Sequence, residues 1–273
     1  MKLIDANSVT VYNPAQTAAP AIDALSFSVD AGEFVAVLGK SGSGKSTLAL
    51  ALNAMLPISG GALTVAGYDV RDEKRRGQIR KSCGVVLQGL DEHFLAPYIF
   101  EELAFAPRCF GVEENKIPAR VKAALAEVNM SGYERRSPQL LNGGQKARIA
   151  LAAVLAQEPD IIVLDSVMGY LTPNERRELM GIILRLKAHG HTIIILSDNA
   201  EEAVSADRVI ILDAGRKLAE GAPRDILTDK TLMDKAGLAV PFAAQLALAL
   251  ESAGAWRGEL PLTAAELVEE VCR

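Results

Sequence analysis

The sequence predicts an α/β protein built on a parallel sheet, and three observations predict it. Four continuous apolar runs, "FVAVLG", "DIIVLD", "HTIIIL" and "RVIILD", have the composition of strands buried on both faces. Helical patterns such as "KSTLALALNAML" and "PNERRELMGIILRLKAHG" stand between them, the alternation that the crossovers of a parallel sheet require. A glycine-rich turn joins the first run to the first helix. Apolar residues fill 49% of the 273 positions and charged ones 23%, so a substantial core can be buried and neither a disordered nor a fibrous chain fits.

Before the first buried run, "VTVYNP" and "IDALSFSVDAGEF" alternate apolar and polar residues between Gly and Pro punctuation, which predicts short antiparallel strands. From about residue 90 to residue 157 the pattern is mostly helical, as in "IPARVKAALAEVN" and "GGQKARIALAAVLAQ", and reads as an insertion between strands. After "LAEGAPRDIL" small amphipathic segments are separated by "GLAVP" and "GELPL". The expected division is a main domain over residues 1–224 and a helical extension over 225–273. No internal repeat is visible.

A net charge of −5 and a pI near 5.4 lack the electrostatic footprint of a protein that binds phosphodiester backbones, so no nucleic-acid partner is expected. The basic cluster "RDEKRRGQIRKS" is interleaved with acids and reads as a solvated surface. Cys83, Cys109 and Cys272 match neither a zinc spacing nor a redox pair, and suit a reducing cytosol. His93, His189 and His191 form no ligand constellation with them. No window approaches the ~18 apolar residues of a membrane span, and "MKLIDANSV" lacks the core of a signal peptide. A membrane role is therefore expected to come through a partner.

The chemistry lies in "GKSGSGKS", which fits G-x-x-x-x-G-K-[ST] at every fixed position and stands between a buried strand and a helix. Across Gly39, Lys40, Ser41, Gly42, Ser43 and Gly44, glycines let backbone N–H groups turn inward around phosphate oxygens, and the helix that continues through Thr47 adds its positive end. Lys45 is placed for the β and γ phosphates and Ser46 for magnesium, so ATP and Mg2+ are the expected ligands. Asp165, closing "DIIVLD", is the second expected magnesium partner, although an Asp there could also cap a helix.

Between these motifs lies "LNGGQKARIALA". Leu141, Asn142, Gly143, Gly144 and Gln145 resemble the LSGGQ signature of ATP-binding cassette (ABC) proteins, and Asn142 also suits a helix N-cap. The resemblance implies the P-loop NTPase fold of ABC ATPases, with an N-terminal antiparallel subdomain and a helical insertion. It implies that 141–145 face the γ-phosphate held by an opposite subunit. Gln88 in "GVVLQGLDEHF" resembles the Q-loop glutamine, which reaches magnesium and couples to transport subunits, and Tyr12 the aromatic residue that stacks on adenine. "LQGLDEHFLAPYIFEELAFAP" and the tail "KAGLAVPFAAQLALAL" with "LTAAELVEE" are similar to the ATPases of energy-coupling factor (ECF) transporters. That family implies a peripheral ATPase at the cytoplasmic face of the membrane. Its expected partners are a second ABC ATPase, a transmembrane coupling protein docking near Gln88 and Phe94 to Phe105, and a substrate-binding membrane protein for a vitamin or metal ion.

Three positions depart from the family pattern. Ser166 stands where a glutamate follows the Walker B aspartate, Thr172 where the D-loop has aspartate before Pro173, and Asp198 where a histidine ends the strand. A serine has no basic group to orient water, and losing a general base costs ~10²–10⁴ in rate. Asp198 brings a carboxylate toward the γ-phosphate instead of a donor. The expectation is a chain that binds ATP, hydrolyses it poorly at its own P-loop, and serves a heterodimeric partner with intact motifs. The alternatives are that Asp198 itself orients the water, or that the chain is a non-catalytic regulator.

Overall fold

The computed structural model describes residues 1–13, 19–90 and 94–272, and the expected alternation builds two sheets. β1 (Lys2–Val11) and β2 (Ile22–Asp30) pair antiparallel. After β3 (Phe34–Leu38) and α1 (Lys45–Leu52), β4 (Gly60–Val65) and β5 (Tyr68–Asp69) complete a four-stranded sheet in the order β2-β1-β4-β5. α2 (Arg76–Ser82) leads into β6 (Cys83–Val86), and the insertion follows as α3 (Ile99–Cys109), α4 (Ile117–Glu127) and α5 (Gly143–Leu155). β7 (Ile161–Asp165), α6 (Pro173–Ala188), β8 (Thr192–Ser197), β9 (Arg208–Asp213) and β10 (Arg216–Gly221) finish the second sheet. Its order is β10-β9-β3-β8-β7-β6, parallel except for β10. The chain then runs through α7 (Pro223–Leu227), α8 (Lys230–Ala236), α9 (Phe242–Ser252) and α10 (Ala264–Val271).

The continuous apolar runs are explained by two cores that share one sheet. Period-two alternation sends Phe34, Ala36 and Leu38 of β3 into the core under the helical insertion, and Val35 and Val37 into the core beneath the antiparallel sheet. β8 divides the same way, Ile193 and Ile195 against Ile194 and Leu196. With each fully buried aliphatic side chain contributing about 1.5–3 kcal/mol, replacing any of these apolar residues by a polar one would be costly on either face.

Two differences from the sequence reading have local causes. α1 stops at Leu52 rather than running to Leu56, because Asn53 turns its side-chain amide to donate to the Cys83 carbonyl and Ala54 adopts φ 52°. β1 and β2 are long strands of 10 and 9 residues whose pairing is interrupted by register shifts, not short ones. The last helices divide between the cores: Leu238, Val240, Ala244 and Leu262 join the large one, while Ala243, Ala247, Trp256 and Leu267 form a small cluster of their own.

Candidate nucleotide site

Adjacent parallel strands deliver their following loops to one edge, and here β3, β8 and β7 deliver the glycine-rich turn, Asp198 and Asp165 together. They border a cavity of about 520 Å³, a size typical of small-molecule sites. Ser41, Gly42, Gly44, Lys45, Ser46 and Thr47 line one side of it, and Gln88, Ser166 and Asp198 another. Asn13, Gly169 and Tyr170 also line it, none of which the sequence singled out. Tyr12 is half-exposed and not among the lining residues; its neighbour Asn13 is.

The turn is glycine where nothing larger fits. A Cβ on Gly39 would lie 2.3 Å from the Leu212 carbonyl oxygen and 2.4 Å from Ser43 Oγ, and one on Gly44 would lie 2.3 Å from the Ala21 carbonyl oxygen. Gly44 adopts φ 106° as the N-cap of α1, where it has no side chain to occupy the first amides, so these donors remain available to an anion. Ser43 is buried within the turn, whereas Lys40 is half-exposed and pairs with Asp213 Oδ1 at 3.1 Å. Lys45 Nζ donates to the Gly39 carbonyl at 2.5 Å and the Lys40 carbonyl at 3.0 Å. Burial lowers the Lys45 pKa, with the charges of Asp198 and Asp165 acting against that.

Asp165 is completely buried, and its Oδ2 has no hydrogen-bond partner among the described residues. Burial pushes its pKa up, opposed by hydrogen bonds from Ser46 and Ser166 and by the Lys45 charge. A buried carboxylate oxygen left unpaired beside the Ser46 hydroxyl is the oxygen donor set a hard divalent cation satisfies, so these residues fit magnesium. Ser166 is held at both ends in a left-handed conformation, φ 54°: its N–H donates to the Leu196 carbonyl at 2.8 Å and its Oγ to Asp165 Oδ1 at 3.2 Å. Its hydroxyl is thereby directed to the carboxylate. Asp198 is exposed at the cavity wall, at the start of a tight turn in which Asn199 N–H donates to Ser197 Oγ and Asn199 Oδ1 accepts from Glu201 N–H.

Behind this turn lies a feature the sequence did not mark. Glu202 is buried, hydrogen-bonded to Ser197 and 3.8 Å from Arg176 Nε, and Arg176 also donates to the Met168 carbonyl in the loop after Ser166. In sequence, "NAEEAV" looks like an exposed acidic turn; only the Arg176 and Ser197 contacts make burial of the second glutamate tolerable.

Leu141, Asn142 and Gln145 do not line the cavity. Gly143 instead lines an adjoining groove with Gln88, Ser166 and Tyr170. Leu141 is buried in the large core, and Asn142 and Gln145 form a reciprocal cap on α5, Asn142 Oδ1 accepting from Gln145 N–H at 2.8 Å. Gly144 N–H donates to Glu175 Oε1 at 3.3 Å, and Glu175 completes a second capping box with Thr172 at the start of α6. Thr172 is thus the α6 N-cap ahead of Pro173. A further cavity of about 300 Å³ opens between the sheet and the insertion, lined by Arg80, Phe94, Glu102, Phe105, Phe110 and Val154 among others. His93 lies outside the described residues.

A phosphate cradle on a β3–α1 turn, a buried carboxylate at the end of β7 and a capped helix set apart from both define a nucleotide-binding cassette. The ABC transporter family model matches residues 22–168. The energy-coupling factor transporter ATP-binding protein EcfA1 of Clostridium novyi is 40% identical over 93% of this chain and 91% of its own length, and that of Bacillus licheniformis 38% identical over 99% and 96%. Among solved structures, cbiO1 of Clostridium perfringens, described as part of the ABC transporter complex cbiONQ, superposes with a TM-score of 0.76 at 26% identity over 86% of this chain and 94% of its own. The dimeric cassette MJ0796 bound to ADP and Pi shares the fold, with a TM-score of 0.72 at 23% identity over 81% of this chain and 98% of its own. The chain belongs to the ABC transporter family, among its energy-coupling factor transporter ATP-binding proteins.

Proposed function

We propose that this chain is the ATP-binding subunit of an ECF-type importer whose own composite site holds MgATP but cleaves it poorly, the cleaving site being completed on a second ATPase. The observation that carries the reading is Ser166: a tethered hydroxyl donating to Asp165 stands where a proton acceptor would have to be. Gly39 to Thr47 hold the phosphates and Ser46, Asp165 and Gln88 take the cation side; Tyr12, outside the cavity lining beside Asn13, would turn inward to meet the base. Leu141 to Gln145 act in trans, a role consistent with their position away from this chain's own cavity.

The partners in this reading are a second ATPase with its glutamate and histidine in place, a transmembrane coupling protein and a membrane protein that binds a vitamin or metal ion. Held by those membrane partners, this chain would sit peripherally on the cytoplasmic face; no described helix is long and apolar enough to cross a membrane. The cavity lined by Phe94, Glu102 and Phe105 suits a docked helix of the coupling protein. The test is phosphate release by the purified chain alone. Steady turnover at the rate of ordinary ABC ATPases refutes the degenerate site, whereas tight ATP binding with slow turnover, rescued by adding a second cassette, supports it.

A further inference from the structure

We propose that residues 237–242 form a linkage through which ATP binding at this chain's own P-loop alters the packing of α9 against α10. The inference rests on the nucleotide reading of the cavity and goes beyond it. One close approach and one hydrogen bond join this segment to elements that border the site. At Gly237, the left-handed cap of α8 with φ 69°, the backbone runs alongside the Lys40 side chain, whose Cδ lies 3.4 Å from where a Cβ would stand. At Phe242, the first residue of α9, the backbone N–H donates to Glu201 Oε1 at 2.5 Å. A carboxylate here satisfies an amide that the helix itself cannot, at its positive end.

Both anchor points are tied to groups that a triphosphate would disturb. The Lys40 carbonyl accepts from Lys45 Nζ, and a phosphate would compete for that ammonium. Asp198 would be repelled by the same phosphate, and the turn it begins carries Glu201, whose N–H is pinned by Asn199 Oδ1. Between the anchors, Leu238 and Val240 are buried in the large core, so displacement at either end cannot be absorbed by a loose loop. Beyond them, Ala243 and Ala247 of α9 pack on Trp256 and Leu267. Trp256 is the sole tryptophan of the sequence, which gives the far end of the linkage its own optical probe.

The experiment uses the full chain with MgATP and MgADP, reading amide hydrogen exchange by mass spectrometry together with selectively excited Trp256 emission. The expected result is protection over residues 39–47, faster exchange in the first turn of α9 by about threefold or more, and a Trp256 change saturating at the same ATP concentration. Glu201→Ala should retain ATP affinity within about twofold and lose most of the Trp256 response. Protection at 39–47 with α9 and Trp256 unchanged overturns the linkage while leaving the nucleotide site intact, and so does a full Trp256 response in Glu201→Ala. Absence of protection at 39–47 removes the nucleotide reading and the linkage with it.

Discussion

Replacing Asp198 by Asn removes one negative charge from the cavity wall and leaves the side chain's size nearly unchanged. Were this carboxylate about 4 Å from a γ-phosphate oxygen, the repulsion would be roughly 4 kcal/mol at an effective dielectric of 20 and roughly 1 kcal/mol in bulk water. Asp198 is exposed, so solvent and salt hold the effect toward the lower figure, about 1–2 kcal/mol. Asp198 also helps keep the buried Lys45 charged, and losing that support offsets part of the gain. Asp198→Asn should therefore bind MgATP about five- to thirtyfold more tightly at low salt, the gain shrinking as ionic strength rises. MgADP, which lacks the γ-phosphate, should gain markedly less. Equilibrium titration of both nucleotides against wild type and variant measures this directly. Unchanged or weaker ATP binding, or an equal gain for ADP, refutes the electrostatic reasoning. A collapse of turnover with unchanged binding would instead assign Asp198 the task of orienting water.

Asp165→Asn should stabilise the protein in the absence of nucleotide while abolishing the rise in Tm that MgATP gives. Burial raises the Asp165 pKa above its ordinary value of 3.8, so the folded chain binds that proton more tightly than the unfolded one. The penalty is then absent below 3.8 and complete above the folded-state value, and the Tm advantage of the Asn variant should grow as pH rises through that window. Thermal melts across a pH series check the sign. Gly44→Ala meets both φ 106° and a carbonyl 2.3 Å from its new Cβ, and should lose at least about 2 kcal/mol together with ATP binding. Gly42→Ala, at φ 80° but with nothing within 4 Å, should lose only about 1–2 kcal/mol; denaturant titration of the pair separates strain from collision.

What could be read from the sequence followed burial. β3, β7, β8 and β9 serve two cores at once and so announce themselves as unbroken apolar runs, and the glycine turn announces itself because its residue types are sterically forced. β10 did not, since "RKLAEG" is an edge strand with no fully buried residue, and neither did β6, four residues with a glycine pressed against Val154 and Gln157. Within the site, Lys45 and Ser46 stood out through fixed spacing, and Asp165 as the acid closing a buried apolar run. Asn13, Tyr170, Arg176 and Glu202 meet the cavity or its supports only through the folding of distant segments, and single positions such as these carry no local pattern. Thr172 departs from the D-loop pattern, and in the structure its hydroxyl and Glu175 form a complete cap on α6.

That cap reaches further than its own helix. Because one Glu175 oxygen receives the Gly144 amide while the other serves Thr172, the beginnings of α5 and α6 are fastened to each other by a single side chain. A rotation of the insertion that carries Gly143 and Gly144 outward must drag the loop bordering this chain's own phosphate cradle, or break that fastening. Whatever α5 offers to a neighbour, the offer is registered at home.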